Sequence, residues 1–194
     1  MIDLDILSDQ KVIQILRVIF SQTEPVTGHG ISKKLTMSSN TATKYLEQLA
    51  ANGVLKKEVI GKAYSYRLKD GYMAKELLGP LFQKEAMVGR IIEEKLKMYL
   101  GPELSALIIY GGPVEQRQNP TFANIDLNPY TVCCVVDAET DVLQAKLEDL
   151  DKWLQNQFNI TLDATVVTHS ELNDRQDLPL YQKIEQSGIN LLES

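Results

Sequence analysis

The feature that most constrains the fold lies between residues 27 and 53, where a brief polar turn separates two apolar stripes of helical period. Thr27 is suited to cap a short helix that carries Ile31 and Leu35. After the turn, Ser38 or Ser39 is expected to cap a longer helix. The residues predicted to face inward on that helix are Ala42, Tyr45, Leu46 and Leu49.

The residues on either side of this helix pair complete a small domain. Asn52-Gly53 is expected to end the longer helix through a left-handed residue. Val54–Ile60 and Ala63–Leu68 then read as two strands, and Gly61-Lys62 supplies a hairpin turn. Upstream, Ser8 is expected to cap a first helix. The apolar stripe of that helix is formed by Val12, Ile15, Leu16 and Ile19.

This order of helices and hairpin, from Ser8 to Asp70, resembles the winged helix-turn-helix superfamily. The resemblance rests on the stretch ISKKLTMSSNTATKYLEQLAANGVLKKEVIGKAYSYRLKD, in which a small polar turn precedes a helix with a Leu-rich inner face. It implies a transcription regulator whose third helix enters the major groove of double-stranded DNA. A winged helix that serves only for protein contacts remains the alternative.

The outer face of the third helix begins with short, hydrogen-bonding side chains, which suit base edges and phosphates. Asn40 is the candidate for an adenine contact, and Lys44 is the candidate for a phosphate contact. Lysines of the second helix are expected to touch the DNA backbone, and the hairpin is expected to reach a flanking minor groove or phosphate. The predicted DNA-binding residues are Ser39, Asn40, Thr41, Thr43, Lys44, Lys33, Lys34, Lys62, Tyr64 and Arg67.

The charge is distributed unevenly along the chain. The formal net charge is −6, but residues 9–69 carry ten basic and four acidic side chains, a local charge of +6. From Tyr99 onward there are five basic and fifteen acidic residues, a local charge of −10. A basic N-terminal third on an acidic body is typical of a domain that meets a polyanion, although two domains can also differ in surface charge without such a role.

The rest of the chain predicts an α+β protein with domains at residues 1–70 and 101–194 and a helical connector at 71–100. A break or kink is expected at Pro80, which has no backbone N–H to donate. Beyond Gly101, apolar strands are expected at residues 104–110, 132–136 and 160–168, with amphipathic helices at 142–158 and 177–187. This alternation indicates a C-terminal α/β layer.

That C-terminal region resembles the minimal nucleotidyltransferase fold over roughly residues 103–192. Members of the fold carry Gly-Ser after an apolar strand, a paired Asp-x-Asp and a third acid, which together hold Mg²⁺ and nucleotide phosphates. Here an Asn replaces the first acid of the pair, so the resemblance implies a non-catalytic descendant. An active nucleotidyltransferase that uses Mg²⁺ remains the alternative. The residues of the expected vestigial nucleotide pocket are Gly111, Gly112, Asn124, Asp126 and Asp163.

The expected partners and location follow from the same observations. The hypothesis that the protein is a transcription regulator predicts a homodimer on a two-fold DNA site and allows a small-molecule or nucleotide effector. The dimer contact is predicted on one face of the helical connector, which carries Met87, Val88, Ile91 and Ile92. This face can equally pack on its own chain. No apolar run approaches bilayer length, so a cytoplasmic protein without a membrane partner is expected. No cofactor or metal is expected, and Cys133-Cys134 is interpreted as a pair of plain buried thiols.

Overall fold

The computed structural model describes residues 5–61, 63–114, 127–137, 141–174 and 178–193. It is a mixed α+β structure with two small sheets. Contacts divide the chain into two compact units, unit 1 running to Met87 and unit 2 beginning at Val88. The segment expected as one connector, residues 71–100, is therefore shared between the two units.

Three helices and a 3₁₀ turn open unit 1. The turn spans Asp5–Ser8, and the helices are α1 (Gln10–Phe20), α2 (Gly28–Lys34) and α3 (Ser39–Ala51). This confirms the predicted short helix, brief turn and longer helix.

Each of these helices begins at a side-chain cap, which satisfies backbone N–H groups that the first turn leaves unpaired. Thr27 caps α2 and Ser38 caps α3, as the sequence predicts. The prediction that Ser8 caps α1 is wrong, because Asp9 is the cap. Ser8 belongs to the preceding 3₁₀ turn, where its hydroxyl donates to the Asp5 carbonyl instead.

A two-stranded hairpin follows α3, and we call it the wing. Its strands are β1 (Leu55–Ile60) and β2 (Ala63–Leu68), which pair antiparallel with Ile60 opposite Ala63. Gly61 has a φ of +62°, a backbone conformation that favours glycine in a tight turn. The predicted hairpin is thus confirmed, although Lys62 lies outside the described residues.

The core of unit 1 forms between the three helices and the wing. Val26 extends the small sheet by exchanging two backbone hydrogen bonds of 2.8 Å with Tyr66 on β2. Of the four residues predicted to face inward on α3, only Tyr45 remains partly exposed. The buried residues of the predicted stripes are Val12, Ile15, Leu16, Ile19, Ile31, Leu35, Ala42, Leu46 and Leu49.

Unit 1 ends with a continuous helical segment in which a π-helix (Met73–Leu78) passes into α4 (Gly79–Ala86). The helix is not broken at Pro80, because the Gly79 N–H bonds to the Ala74 carbonyl five residues back and the wider π turn accommodates the proline. Leu78 and Phe82 on this segment are buried in the unit 1 core.

Unit 2 contains a four-stranded sheet and its helices. In chain order the elements are α5 (Val88–Leu100), a 3₁₀ turn (Gly101–Glu103), β3 (Ala106–Ile109), β4 (Tyr130–Val136), α6 (Asp141–Phe158), β5 (Leu162–Thr168), α7 (His169–Asp174), α8 (Pro179–Ser187), β6 (Ile189–Asn190) and a 3₁₀ turn (Leu191–Glu193). The sheet order is β5-β4-β3-β6. β4 runs parallel to β5, whereas β3 is antiparallel to both β4 and β6.

The buried face of α6 matches its sequence pattern, since the four leucines spaced three or four apart are all buried. Cys133 and Cys134 are buried free thiols on β4, as predicted. Burial raises the pKa of Cys133 to about 11 and that of Cys134 to about 12, so both stay protonated at neutral pH. Among the described helices, none is both long enough and apolar enough to cross a bilayer.

Candidate nucleic-acid interface

Two contacts fix α3 against the other helices of unit 1. The Tyr45 hydroxyl donates to Asp9 Oδ2 at 2.6 Å, which ties α3 to the cap of α1. Two residues before Tyr45, α3 packs so closely on α2 that a Cβ on Gly28 would lie 2.1 Å from Thr43 Oγ1. The glycine at position 28 leaves room between the two helices for the Thr43 side chain.

The polar residues at the start of α3 divide into those used by the fold and those left in solvent. The Thr41 N–H and hydroxyl both bond Ser38 Oγ, so Thr41 belongs to the helix cap. Thr43 packs against α2 as described above. The structure therefore turns Thr43 away from the exposed face on which the sequence analysis placed it.

Asn40 and Lys44 are the exposed members of this set that the fold does not use. They are one helical turn apart, so they lie on the same face of α3. Neither side chain has a hydrogen bond or ion pair within the described parts of the chain. Ser39 is also exposed, but its hydroxyl is shared with Ser32 on α2 at 3.1 Å.

The two lysines of α2 are both exposed, but they differ in their contacts. Lys34 Nζ donates to Gln22 Oε1 at 2.5 Å, a neutral partner that leaves its charge uncompensated. Lys33 has no such contact in the described residues. Both are available to a phosphate that runs past α2.

On the wing, the described cations are held by carboxylates. Glu58 Oε1 accepts from Lys56 Nζ and from Arg67 Nη2, each at 2.8 Å. Lys57 Nζ lies 2.8 Å from Glu47 Oε1 on α3 and 3.7 Å from the ring centroid of Tyr64. Arg67, predicted to bind DNA, is thus engaged within the wing itself.

The ionisation of these groups reflects the same pairing. Hydrogen bonds from Lys56 and then Arg67 hold the pKa of Glu58 below its usual value. The hydrogen bond to Glu47 raises the pKa of Lys57. Because these groups are exposed or, in the case of Glu58, half-buried, solvent screens the pairs and their contribution to stability is small. No sequence pattern identified Glu58 as the shared acceptor, since the partners come from two strands.

The described members of the second set of predicted site residues, Gly111, Gly112 and Asp163, lie in unit 2 at one end of its sheet. β3 ends there, and β4 and β5 begin there, so Gly111 follows one strand and Thr131 pairs with Asp163 in parallel register. A Cβ on Gly111, whose φ is +67°, would lie 3.2 Å from Lys183 Nζ and 3.5 Å from Thr131 Oγ1. We call Gly111, Thr131, Asp163 and Lys183 the sheet-edge cluster.

The cluster differs from the predicted pocket in its members. Lys183 was not anticipated, because it reaches the glycine turn from α8, far away in sequence. Gly112 is present next to Gly111, whereas Asn124 and Asp126 lie outside the described residues. Within the described residues, no group of three or more His, Cys, Asp or Glu side chains is placed to hold a metal ion.

Tyr110, which precedes the glycine turn, completes the surroundings of this cluster. Burial raises the pKa of Tyr110, while its side chain also hydrogen-bonds Thr165 and experiences the charge of Asp163. Its phenol therefore stays protonated at neutral pH. The Thr131 hydroxyl donates to the Tyr110 carbonyl and holds the turn against β4.

Comparisons with known proteins add little to this description. No protein-family model matches the chain, and no curated protein matches it in sequence. One solved structure, reduced HlyU from Vibrio cholerae N16961, is similar over 40% of this chain and 82% of its own length. The two share 20% identity, and the TM-score is 0.34.

Proposed function

We propose that this protein is a DNA-binding transcription regulator whose helix α3 enters the major groove of duplex DNA. The observation that supports this most strongly is that the side chains of Asn40 and Lys44 are exposed and have no partners within the fold. Both lie on the exposed face of α3 and take no part in the caps or ion pairs of unit 1, whereas Thr41 and Thr43 do. Asn is suited to bidentate contact with adenine, and Lys neutralises a phosphate.

The proposal is tested by the separate effects of these two residues on duplex binding. Asn40→Ala is expected to weaken binding to a preferred site by about 1–3 kcal/mol and to reduce its preference over other sequences. Lys44→Ala is expected to weaken binding to all sequences and to reduce the salt slope by about 1. Lys152→Ala, on α6 of unit 2, is the matched lysine control, and fluorescence anisotropy is the measurement. Equal binding by all four proteins would contradict the proposal.

A homodimer on a two-fold DNA site remains part of the proposal. Of the expected contact residues, Ile92 is buried in unit 2, whereas Met87 and Ile91 are 50% and 40% exposed. Ile91 and Met98 lie two turns apart on one face of α5, and Met98 is 69% exposed. Ile91→Lys/Met98→Lys is expected to convert a dimer into a monomer in sedimentation-velocity analysis. A wild-type protein that sediments as a monomer at all concentrations would contradict it.

For unit 2, we propose a non-catalytic role in binding an anionic effector at the sheet-edge cluster. Lys183 supplies a positive charge beside a glycine backbone that a ligand can approach closely. Titration with ATP and with inorganic phosphate, followed by calorimetry, is expected to show binding that Lys183→Ala removes. If neither ATP nor inorganic phosphate bound to the protein, this role would be contradicted. Transfer of a labelled nucleotide in the presence of Mg²⁺, lost in Asp126→Ala, would show instead that unit 2 is an active nucleotidyltransferase.

A further inference from the structure

The outer strand of the unit 2 sheet has two alternating sets of backbone groups. β5 lies at the edge of the sheet, so its residues direct their N–H and C=O groups alternately toward β4 and away from the sheet. The Thr161 carbonyl, just before β5, accepts from the Tyr130 N–H at 2.8 Å, so the odd-numbered residues face β4. The backbone groups of residues 162, 164, 166 and 168 therefore point outward.

Two carboxylates close the ends of this outer edge. Asp151 Oδ1, on α6, accepts from the Leu162 N–H at 2.8 Å. Glu171 Oε2, on α7, accepts from the Thr168 N–H at 3.0 Å. Each bond occupies a backbone N–H that an added strand would need. An added strand can therefore pair with β5 only between these two positions.

Between the two carboxylates, the outward backbone groups of Ala164 and Val166 are unpaired, and we call them the open edge. Neither residue has a hydrogen bond from its outward N–H or C=O within the parts of the chain that the structure describes. β5 also contains no proline and no lysine, the residues that commonly protect an edge strand. Two residues with one N–H and one C=O each leave four groups, which a short extended segment can satisfy.

The charges beside the open edge determine which extended segment suits it. The carboxylates of Asp151 and Glu171 lie at its two ends, and Asp163 on β5 is exposed. A second copy of this chain, paired antiparallel about Thr165, would place its Glu171 against Asp151 at each end, and these like charges would repel. A segment with basic residues on both sides of a short uncharged stretch would instead attract both carboxylates.

We propose that the open edge binds an extended basic segment of a partner protein, which adds to the four-stranded sheet as an antiparallel fifth strand. The central residue of the segment lies opposite Thr165, and its two neighbours exchange hydrogen bonds with Ala164 and Val166. Basic side chains beyond them pair with Asp151 and Glu171. The inference does not depend on DNA binding by α3, because unit 2 supplies every group involved.

Hydrogen exchange at alternate residues of β5 tests the proposal most directly. The full chain, isotope-labelled for NMR, is titrated with a blocked peptide that has a Val-Thr-Val centre and two lysines at each end, here called the lysine peptide. The amide hydrogens of Ala164 and Val166 are expected to exchange rapidly in the free protein and to become protected when the peptide binds. The Thr165 amide, which points to β4, is expected to be protected in both states.

A proline substitution tests the backbone pairing separately. Ala164→Pro removes an outward N–H but no bond of the sheet, because that N–H does not point to β4. Calorimetry is expected to show about tenfold weaker binding of the lysine peptide. Ala164→Ser keeps the N–H and is the matched control, and circular dichroism checks that both variants are folded. N-methylation of the two valines of the peptide removes the matching donors without changing the protein, and it is expected to abolish binding.

The double variant Asp151→Asn/Glu171→Gln tests the charges at the two ends of the open edge. The amide oxygens of the new side chains still accept the two backbone N–H groups, so the ends of the edge stay closed. Affinity for the lysine peptide is expected to fall about tenfold at low salt and to lose most of its salt dependence. Asp149→Asn/Glu185→Gln, at exposed residues of α6 and α8, is the control of equal charge change.

Each of the other outcomes would overturn the inference. Slow exchange of the Ala164 and Val166 amides in the free protein would show that the chain itself covers the open edge. Unchanged exchange of both amides at saturating lysine peptide would show that the edge does not accept a strand. Equal affinity for a peptide with glutamates in place of the lysines would contradict a basic partner. Self-association in sedimentation velocity that Ala164→Pro abolishes would indicate that a second copy occupies the edge instead.

Discussion

At the residue scale, the hydrogen bond between Tyr45 and Asp9 joins the cap of α1 to the middle of α3. The Tyr45 hydroxyl and then the Lys11 backbone N–H hold the pKa of Asp9 below its usual value. The same bond raises the pKa of Tyr45. A carboxyl group whose folded pKa is depressed contributes stability above its unfolded pKa and loses it as the pH falls through the folded pKa.

The first prediction concerns the pH dependence of stability. Tyr45→Phe is expected to be less stable than the wild type at pH 7 and to lose less stability on acidification below about pH 4. Urea midpoints at pH 7, 5, 4 and 3 measure this difference. Tyr72→Phe, at a tyrosine that is 63% exposed, is the control and is expected to follow the wild type. Parallel pH profiles for all three proteins would contradict the assigned role of the bond.

A second prediction follows from the close approach of Gly28 and Thr43. In an exposed helix, replacing Gly with Ala usually stabilises by about 1 kcal/mol. Gly28→Ala is expected to destabilise by about 1–3 kcal/mol instead, because the new methyl group meets Thr43 Oγ1. Thr43→Ala removes that oxygen, so the double variant is expected to recover most of the loss in urea denaturation. If the changes in the free energy of unfolding of the two single variants simply added in the double variant, the contact between Gly28 and Thr43 would be contradicted.

At the element scale, the helices and hairpin of unit 1 could be predicted from sequence because their signals are local. Helical apolar spacing, a capping Ser or Thr, and glycines at left-handed turns all act within a few residues. The role of Thr43 could not be predicted, because its partner lies on another helix. Lys183 was missed for the same reason, since only the folding of unit 2 brings α8 to Gly111. The assignment of the α1 cap failed by one residue because Ser8 and Asp9 are adjacent and both suit a cap.

The ion pairs of the wing give a third prediction. Glu58→Gln is expected to release Lys56 and Arg67 from their shared carboxylate. Binding to nonspecific duplex at low salt should then become tighter, and the salt slope should increase by about 1 for each new phosphate contact. Glu185→Gln, on α8 of unit 2, is the control of equal charge change. Equal slopes for Glu58→Gln and the wild type would show that these cations do not reach phosphates when released.

At the scale of the whole molecule, the division at Met87 joins the π-helix and α4 to the core of unit 1. Phe20 and Phe82 stack with ring centroids 4.9 Å apart. Arg17 holds Glu85 through Nη2 at 2.5 Å and through Nε at 3.0–3.1 Å. The compact unit 1 therefore extends beyond the domain predicted to end at residue 70, since the helical pattern after residue 71 does not reveal which unit it packs on.

The fourth prediction compares two fragments of the chain. A fragment of residues 1–87 is expected to unfold cooperatively in urea. A fragment of residues 1–70 is expected to be less stable by several kcal/mol, because it loses the buried side chains of Leu78 and Phe82. Equal urea midpoints for the two fragments would contradict the assignment of the π-helix and α4 to unit 1.

Unit 1 is proposed to read duplex DNA through α3, and selection from genomic DNA is the decisive test of this role. Purified protein is mixed with random genomic duplex fragments, bound fragments are enriched and sequenced, and the affinity of the enriched site is measured over a salt series. We expect an enriched site, an affinity that falls steeply with salt, and loss of enrichment in Asn40→Ala/Lys44→Ala. Absence of duplex binding at low salt would contradict it and would indicate that the wing and α3 form a protein-contact surface.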